Sequence, residues 1–454
     1  SLFEYNWTLY SAGHAELDIN KDSPKEDMIR NRDRNTSWLL GDSGGFQIGK
    51  GVWEGNWKDI DCPRAKKKRE QVLAWMDAYM DYGMILDIPA WVARSPEGVK
   101  ATGISTYQEA VDATRINNDY FMKNRNGNCK FLNVLQGENH ADADDWYERM
   151  KDYCDPKVYS DHFNGWSMGG QNMCDVHLVL KRLVALRFDG LLEKGKHDFM
   201  HFLGTSKLEW ATLLTDIQRA VRKYHNPNFT VTFDCASPFL ATANGQIYCE
   251  LETNDREKWV YRMVPSIDNK AMSTDTTPFA EAFVREGKHH SFLDSPISNG
   301  LTAKDICIYG PGDLNKIGKE GKTSWDSFSY GIMMGHNVWM HINAVQEANR
   351  QYDNGIIPKM LVEEKFDRVY FKDIVEAIFA TDDRQVADAI IQEYSKYWQS
   401  IIGTRGATGK KIKKRVKQLE AQRELVRAWE HKAELLDLKK QKLKYKEMDN
   451  KNET

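Results

Sequence analysis

No C-x-x-C pair occurs among the seven cysteines at positions 62, 129, 154, 174, 235, 249 and 307. An odd, dispersed set argues against a disulfide framework and a sequence-local zinc knuckle, and points to reduced thiols in a cytoplasm, a host cytoplasm if the chain is viral. No apolar run approaches the ~20 residues a membrane-spanning helix requires. The stretch "SLFEYNWTLYSAGHAEL" has no basic segment leading into an apolar one, so no secretory signal is expected. Large net charge is also missing, the formal value being −3. That near-balance hides an asymmetry. Between Arg405 and Lys446 there are 15 Lys/Arg against 5 Asp/Glu, which leaves about −13 for the rest of the chain. An acidic body with a basic tail suits contact with a polyanion.

What is present suffices for a large core. The chain has 454 residues, 41% of them hydrophobic and 28% charged. Six short apolar runs each end in a polar or glycine-containing loop: "TSWLLGDSGG", "GMILDIPAW", "KFLNVLQGEN", "NGWSMGGQ", "FMHFLGTSK" and "FTVTFDCASP". Segments of helical periodicity lie between them, including "KKKREQVLAWMDAYMDYG", "TYQEAVDATRINNDYFMKN" and "KLEWATLLTDIQRAVRKYH". Strand–helix alternation every 30 to 50 residues is the pattern of parallel β/α units. The expected fold is α/β, a (β/α)8 TIM barrel with a C-terminal helical extension, with a doubly wound open sheet as the alternative. "ICIYG" (306–310) is a further candidate strand.

The expected division is a barrel over 1–355, a helical segment over 356–403 and a basic helical tail over 404–454. "FKDIVEAIFA" and "DRQVADAIIQEYSKYWQSIIG" each read as one helix, the second starting at Asp382 or Asp383. The tail carries Ile412, Val416 and Leu419 at helical spacing, but Arg423 and Glu430 interrupt the stripe. It reads either as a solvated helix packing on the barrel or on a second chain, as in a homodimer, or as an arm on nucleic-acid phosphates.

A barrel places functional side chains just after its strands, on one rim. Asp42, Asp87, Gln136, Ser167, Gly204 and Asp234 each end a different apolar run. Polar residues commonly end strands, so one such position means little. Three carboxylates and an amide on separate strands mean more.

"DSGGFQ", "LQG", "FDCASPFLATANG" and a later "HN" helical segment resemble, in this order, the tRNA-guanine transglycosylase (queuine tRNA-ribosyltransferase) superfamily over about residues 38–345. The chain is most similar to the phage and bacterial members that act on DNA. The resemblance implies a TIM barrel and exchange of guanine for a 7-deazaguanine base of preQ0 type. On that pattern Asp234 matches the nucleophile, and Asp42 the aspartate that takes the N9 proton of the incoming base. Asp87 matches the acceptor for guanine N1–H and the exocyclic amine, while Gln136 and Gly137 match the reader of O6. Ser43 and the "GWSMGG" loop, with Gly165 and Ser167, complete the expected rim. Trp166 and Ser167 depart from the family pattern.

The residues themselves suit the chemistry. Base exchange at C1′ with retention needs a nucleophile to hold the sugar, and a carboxylate does this in retaining glycosidases. Phe46 offers a flat face for a purine, and Gly44 and Gly45 let the backbone come close. No cofactor is needed for such chemistry. The structural zinc of the family is in question, because its C-x-C-x-x-C spacing is missing; Cys249, Cys307 and His341 are the remaining ligand candidates. The expected partners are DNA, with tRNA as the alternative, and a free 7-deazaguanine base. A non-catalytic nucleic-acid-binding barrel is the reading from a different class.

Overall fold

The computed structural model describes residues 4–266, 274–285, 292–306, 327–364 and 368–401. Seven strands form one parallel sheet in strict chain order: β1 (Trp7–Ser11), β2 (Trp38–Asp42), β3 (Tyr82–Met84), β4 (Lys130–Leu135), β5 (Gly165–Met168), β6 (Phe199–Phe202) and β7 (Thr230–Phe233). The six apolar runs are β2 to β7. β1, a short edge strand, escapes the apolar pattern because four of its five residues are only half-buried.

Sequential order rules out the doubly wound alternative, whose strand order reverses at a switch point. The sheet also curls. In a flat sheet β2 and β6, four strands apart, would stand about 19 Å from one another at ~4.8 Å per strand. Instead the rings of Trp38 on β2 and Phe199 on β6 meet at 4.9 Å, and Tyr82 on β3 stacks on Phe199 at 4.8 Å. These rings fill the space enclosed by the strands at their N-terminal ends.

The expected closed eight-stranded barrel is met only as this curled half-barrel. β1 and β7 are edges, and no eighth parallel strand occurs among the described residues. Beyond β7 the chain forms an antiparallel hairpin, β8 (Gln246–Glu252) with β9 (Val260–Pro265). Of the expected strand at 306–310, Ile306 ends a helical turn and the rest lies outside the described residues.

Helices join the strands as their periodicity requires: α1 (Gly45–Gly49), α2 (Pro63–Tyr79), α3 (Tyr107–Asn124), α4 (His140–Met150), α5 (Val176–Phe188), α6 (Leu208–Tyr224) and α7 (Ser237–Ala243). The side chains of Thr106, Asn139 and Asp175 accept from backbone N–H groups in the first turns of α3, α4 and α5, fixing where each begins. α8 (Ser327–Asp353) lies against α6, α7 and β8. The following helices, α9 (Phe371–Ala380), α10 (Arg384–Glu393) and α11 (Ser395–Ser400), pack on α5 and α6.

The segment read as a single helix over 383–403 breaks at Tyr394 into α10 and α11, the break allowing Trp398 Nε1–H to reach the Ile391 carbonyl at 2.8 Å. Arg187, buried at the end of α5, donates at 2.7 Å to the Phe379 and Thr381 carbonyls, satisfying acceptors that the end of α9 leaves open. No helix among the described residues is long and apolar enough to cross a membrane. The basic tail from residue 404 lies outside the described residues.

Candidate active site

Asp42 is the last residue of β2, and its position reflects the turn that follows. Gly44 takes φ +85°, and a Cβ there would meet the Trp53 ring at 2.5 Å. A Cβ on Gly45 would lie 2.6 Å from the Asp87 carbonyl oxygen. Both glycines are therefore needed for the loop to fold back over the ends of β2 and β3. The backbone N–H groups of Ser43 and Gly44 point at the Asp42 carboxylate. Even so, enclosure and the nearby negative charge of Asp234 push Asp42 up to about 6, with His201 and the two N–H groups opposing the rise.

Asp87 lies three residues past β3 and is almost fully buried. Gln136, just past β4, donates from Nε2 to Asp87 Oδ2 at 2.7 Å. The Ser43 hydroxyl faces Asp87 Oδ1 at 3.5 Å. Burial raises Asp87 to about 6; the Gln136 and Ser43 hydrogen bonds work against that and the Asp42 charge adds to it. Asp87, Gln136 and Ser43 thus form one polar cluster beside Asp42. Gly137 serves the turn from β4 into α4, with φ +129° and the Ala143 backbone too close for a side chain.

Asp234 follows β7 and keeps 29% of its side chain exposed. Its Oδ1 accepts from His201 Nε2 at 2.8 Å and lies 3.3 Å from the Gly204 backbone nitrogen. His201, in β6, is buried, and its Nδ1 lies 2.8 Å from Thr232 Oγ1. His201 is the site residue that the apolar runs did not single out. Its signal is a histidine at an inward position of "FMHF", in register with Thr232 of the next strand. Three inward positions, 201, 232 and 234, become neighbours once two strands pair.

Other expected rim residues are placed differently. Gly165 begins β5, paired with Leu132 and Phe199 at the end of the sheet opposite Asp42. Ser167 is buried between strands, level with Val134 and His201, and its hydroxyl faces Met84 Sδ at 3.2 Å. Gly165 therefore lies away from the polar cluster, while Ser167 stands at the level of His201, one strand over from it. Phe46 is 58% exposed on α1, its ring 6.1 Å from Trp91, with Lys50 Nζ 5.4 Å above it.

Of the zinc candidates, Cys249 and His341 have different partners. Cys249 is buried with Ile247, Val264 and Phe279, its thiol facing the Arg262 carbonyl at 3.2 Å. His341 instead contacts Tyr261 Oη at 2.8 Å and Cys235 Sγ at 3.3 Å, and burial lowers it to about 4. Cys307 lies outside the described residues. Among the described residues no three His, Cys, Asp or Glu side chains form a metal-binding group.

The "HN" pair in α8 has a packing role. Asn337 accepts from Tyr248 N–H at 2.9 Å and donates at 2.9 Å to Thr242 Oγ1 and the Gln246 carbonyl. His336 meets the Tyr248 carbonyl at 2.7 Å. Together they clamp the turn of "ATANG" that follows the Asp234 segment. A cleft of about 400 Å³ lies elsewhere, between α4, α5 and α10, lined by Lys181, Arg182 and Arg384 among others. No protein-family model and no characterised protein matches this chain.

Proposed function

We propose that the protein is a base-exchange transglycosylase that replaces guanine in DNA with a 7-deazaguanine base of preQ0 type. The observation that carries this reading is the meeting of Asp234 and Asp42, from β7 and β2, on one rim beside the Asp87–Gln136 pair. We read the half-barrel as seven strands of a TIM-type barrel, which presents its chemistry on that rim.

The roles follow from exposure and acidity. Asp234, with 29% of its side chain exposed, is suited to attack C1′ as guanine leaves. Asp42, held near 6, can give a proton to the departing base and take one from N9 of the incoming base. Asp87 accepts from guanine N1–H and the exocyclic amine, and Gln136, oriented by Asp87, reads O6. Phe46 supplies a stacking face at the mouth. A paired guanine must leave the stack to reach these groups, at about a few kcal/mol. The basic stretch Arg405–Lys446 supplies phosphate contacts.

Incubation of radiolabelled guanine, or of a 7-deazaguanine, with DNA and separately with tRNA tests the proposal. Label in DNA, lost in Asp234→Ala, is the expected result. Label in tRNA alone would reassign the substrate, and label in neither would leave a nucleic-acid-binding barrel without this chemistry.

A further inference from the structure

The two oxygens of Asp234 are in different situations. Oδ1 receives both neighbouring donors, His201 Nε2 at 2.8 Å and the Gly204 backbone N–H at 3.3 Å. Oδ2 has neither, and the side chain is 29% exposed. An ionised carboxylate only accepts, so in a neutral His201 ring the proton must sit on Nε2. Nδ1 is then an acceptor, and the group facing it at 2.8 Å is the Thr232 hydroxyl, which can donate. Asp234 thus sets the tautomer, and Thr232, whose hydroxyl can supply the matching donor, holds the other edge of the ring. His201 is buried within β6 and Gly204 lies two residues past its end, so both donors are held by the sheet.

We infer that His201, held by Thr232, is a positioning residue that reserves Asp234 Oδ2 for attack and stabilises charge on Oδ1. The inference rests on the base-exchange reading and assigns the work within it. In the first half-reaction Oδ2 forms a bond to C1′ as the C1′–N9 bond breaks; the electron pair stays with guanine, which takes the proton of Asp42. Oδ1 becomes the ester carbonyl oxygen. In the second, N9 of the incoming base attacks C1′ and yields its proton to Asp42. The C1′–Oδ2 pair returns to the carboxylate, and negative charge reappears partly on Oδ1. Fixed donors at Oδ1 favour the second half-reaction, in which that charge is building; in the first, where charge leaves Oδ1, they act by keeping Oδ2 turned toward C1′.

The test uses the full chain and three variants. His201→Met keeps bulk and removes the donor. His201→Gln retains an N–H that reaches the same place. Thr232→Val removes the hydrogen bond that holds the other edge of the ring. Exchange of radiolabelled guanine into DNA should fall about 100-fold in kcat for His201→Met, the size seen when one fixed donor is removed. KM for guanine should change less than about twofold, because His201 does not touch the Asp87–Gln136 cluster. His201→Gln should recover to within about tenfold of wild type, and Thr232→Val should fall between the two.

Wild-type kcat in a folded His201→Met would overturn the inference. So would His201→Gln as slow as His201→Met with a limb of the pH profile gone, since His201 would then be moving a proton. Nitrogen-15 NMR of histidine-labelled protein reads the tautomer independently of turnover. The Nε2–H form in wild type supports the assignment, and the Nδ1–H form overturns it. If wild type exchanges no guanine into any nucleic acid, the base-exchange reading fails, while the NMR result still decides the tautomer.

Discussion

At the N-terminal ends of the strands, Trp38, Tyr82 and Phe199 close the interior with stacked and tilted rings at 4.8 to 5.5 Å. At the C-terminal end of the sheet, Asp42, Asp87 and Asp234, from β2, β3 and β7, crowd into one region, and two of them are pushed up to about 6. The first end is built to be stable: apolar area is buried and ring geometry is satisfied. The second carries carboxylates that its surroundings only partly compensate, which opposes folding at neutral pH. A sheet that tolerates such a rim does so because its other end and its helices supply the stability. Variants at the two ends should therefore separate activity from stability.

The largest effect is expected at Asp234. Asp234→Ala should reduce base exchange by at least about 10³-fold and abolish a trappable protein–DNA adduct, with little change in melting temperature. Exchange at the wild-type rate would remove the distinction between the ends. Phe199→Ala should do the reverse, costing about 3–5 kcal/mol in denaturant unfolding while leaving kcat of the folded fraction within a few-fold of wild type. A severe loss of kcat in folded Phe199→Ala would show that the plug shapes the site.

Asp42→Asn should lose turnover yet gain stability. The carboxyl titrates at about 6 in the fold against 3.8 ordinarily, so the folded state binds the proton more tightly. Wild type therefore loses stability as pH rises through that window, by roughly 1–3 kcal/mol at pH 7. The variant should be the more stable by that amount at pH 7, and the gap should close below about pH 4. Paired urea melts at the two pH values check this. In wild type, adduct formation should slow as pH rises above about 6, because Asp42 then lacks the proton it gives to guanine.

Asp87→Ala should raise KM for guanine about 10- to 100-fold, since two donors of the base lose a buried acceptor. Unchanged KM would move the base elsewhere on the rim. The smallest effect belongs to the tail. Truncation before Arg405 should leave kcat unaltered and flatten the salt dependence of DNA affinity by roughly 0.9 in slope for each phosphate the tail no longer neutralises. An unchanged slope would assign the basic stretch to packing.

Strands β2 to β7 and helices α2 to α6 were legible because each is signalled within 5 to 20 neighbouring residues, by apolar runs or by helical period. So were Asp42, Asp87, Gln136 and Asp234, each standing where an apolar run stops. The break at Tyr394 was hidden, because the helical pattern runs through it and only the packing of Trp398 marks it. Gly165 was set on the rim from its motif, while strand pairing puts it beside Phe199 at the opposite end of the sheet.

The order of residues by itself determined the alternation of strands and helices, the acids that end the strands, and the separation of a basic stretch from an acidic body. These are properties of neighbouring residues. Tertiary structure alone decided that, among the described residues, the sheet stays open with β1 and β7 as edges, that Cys249 and His341 have different partners, and that His201 meets Asp234. Each of these depends on strand register and curl, which bring residues up to 192 positions apart, such as Asp42 and Asp234, within reach of one another's charge. No local pattern encodes that distance.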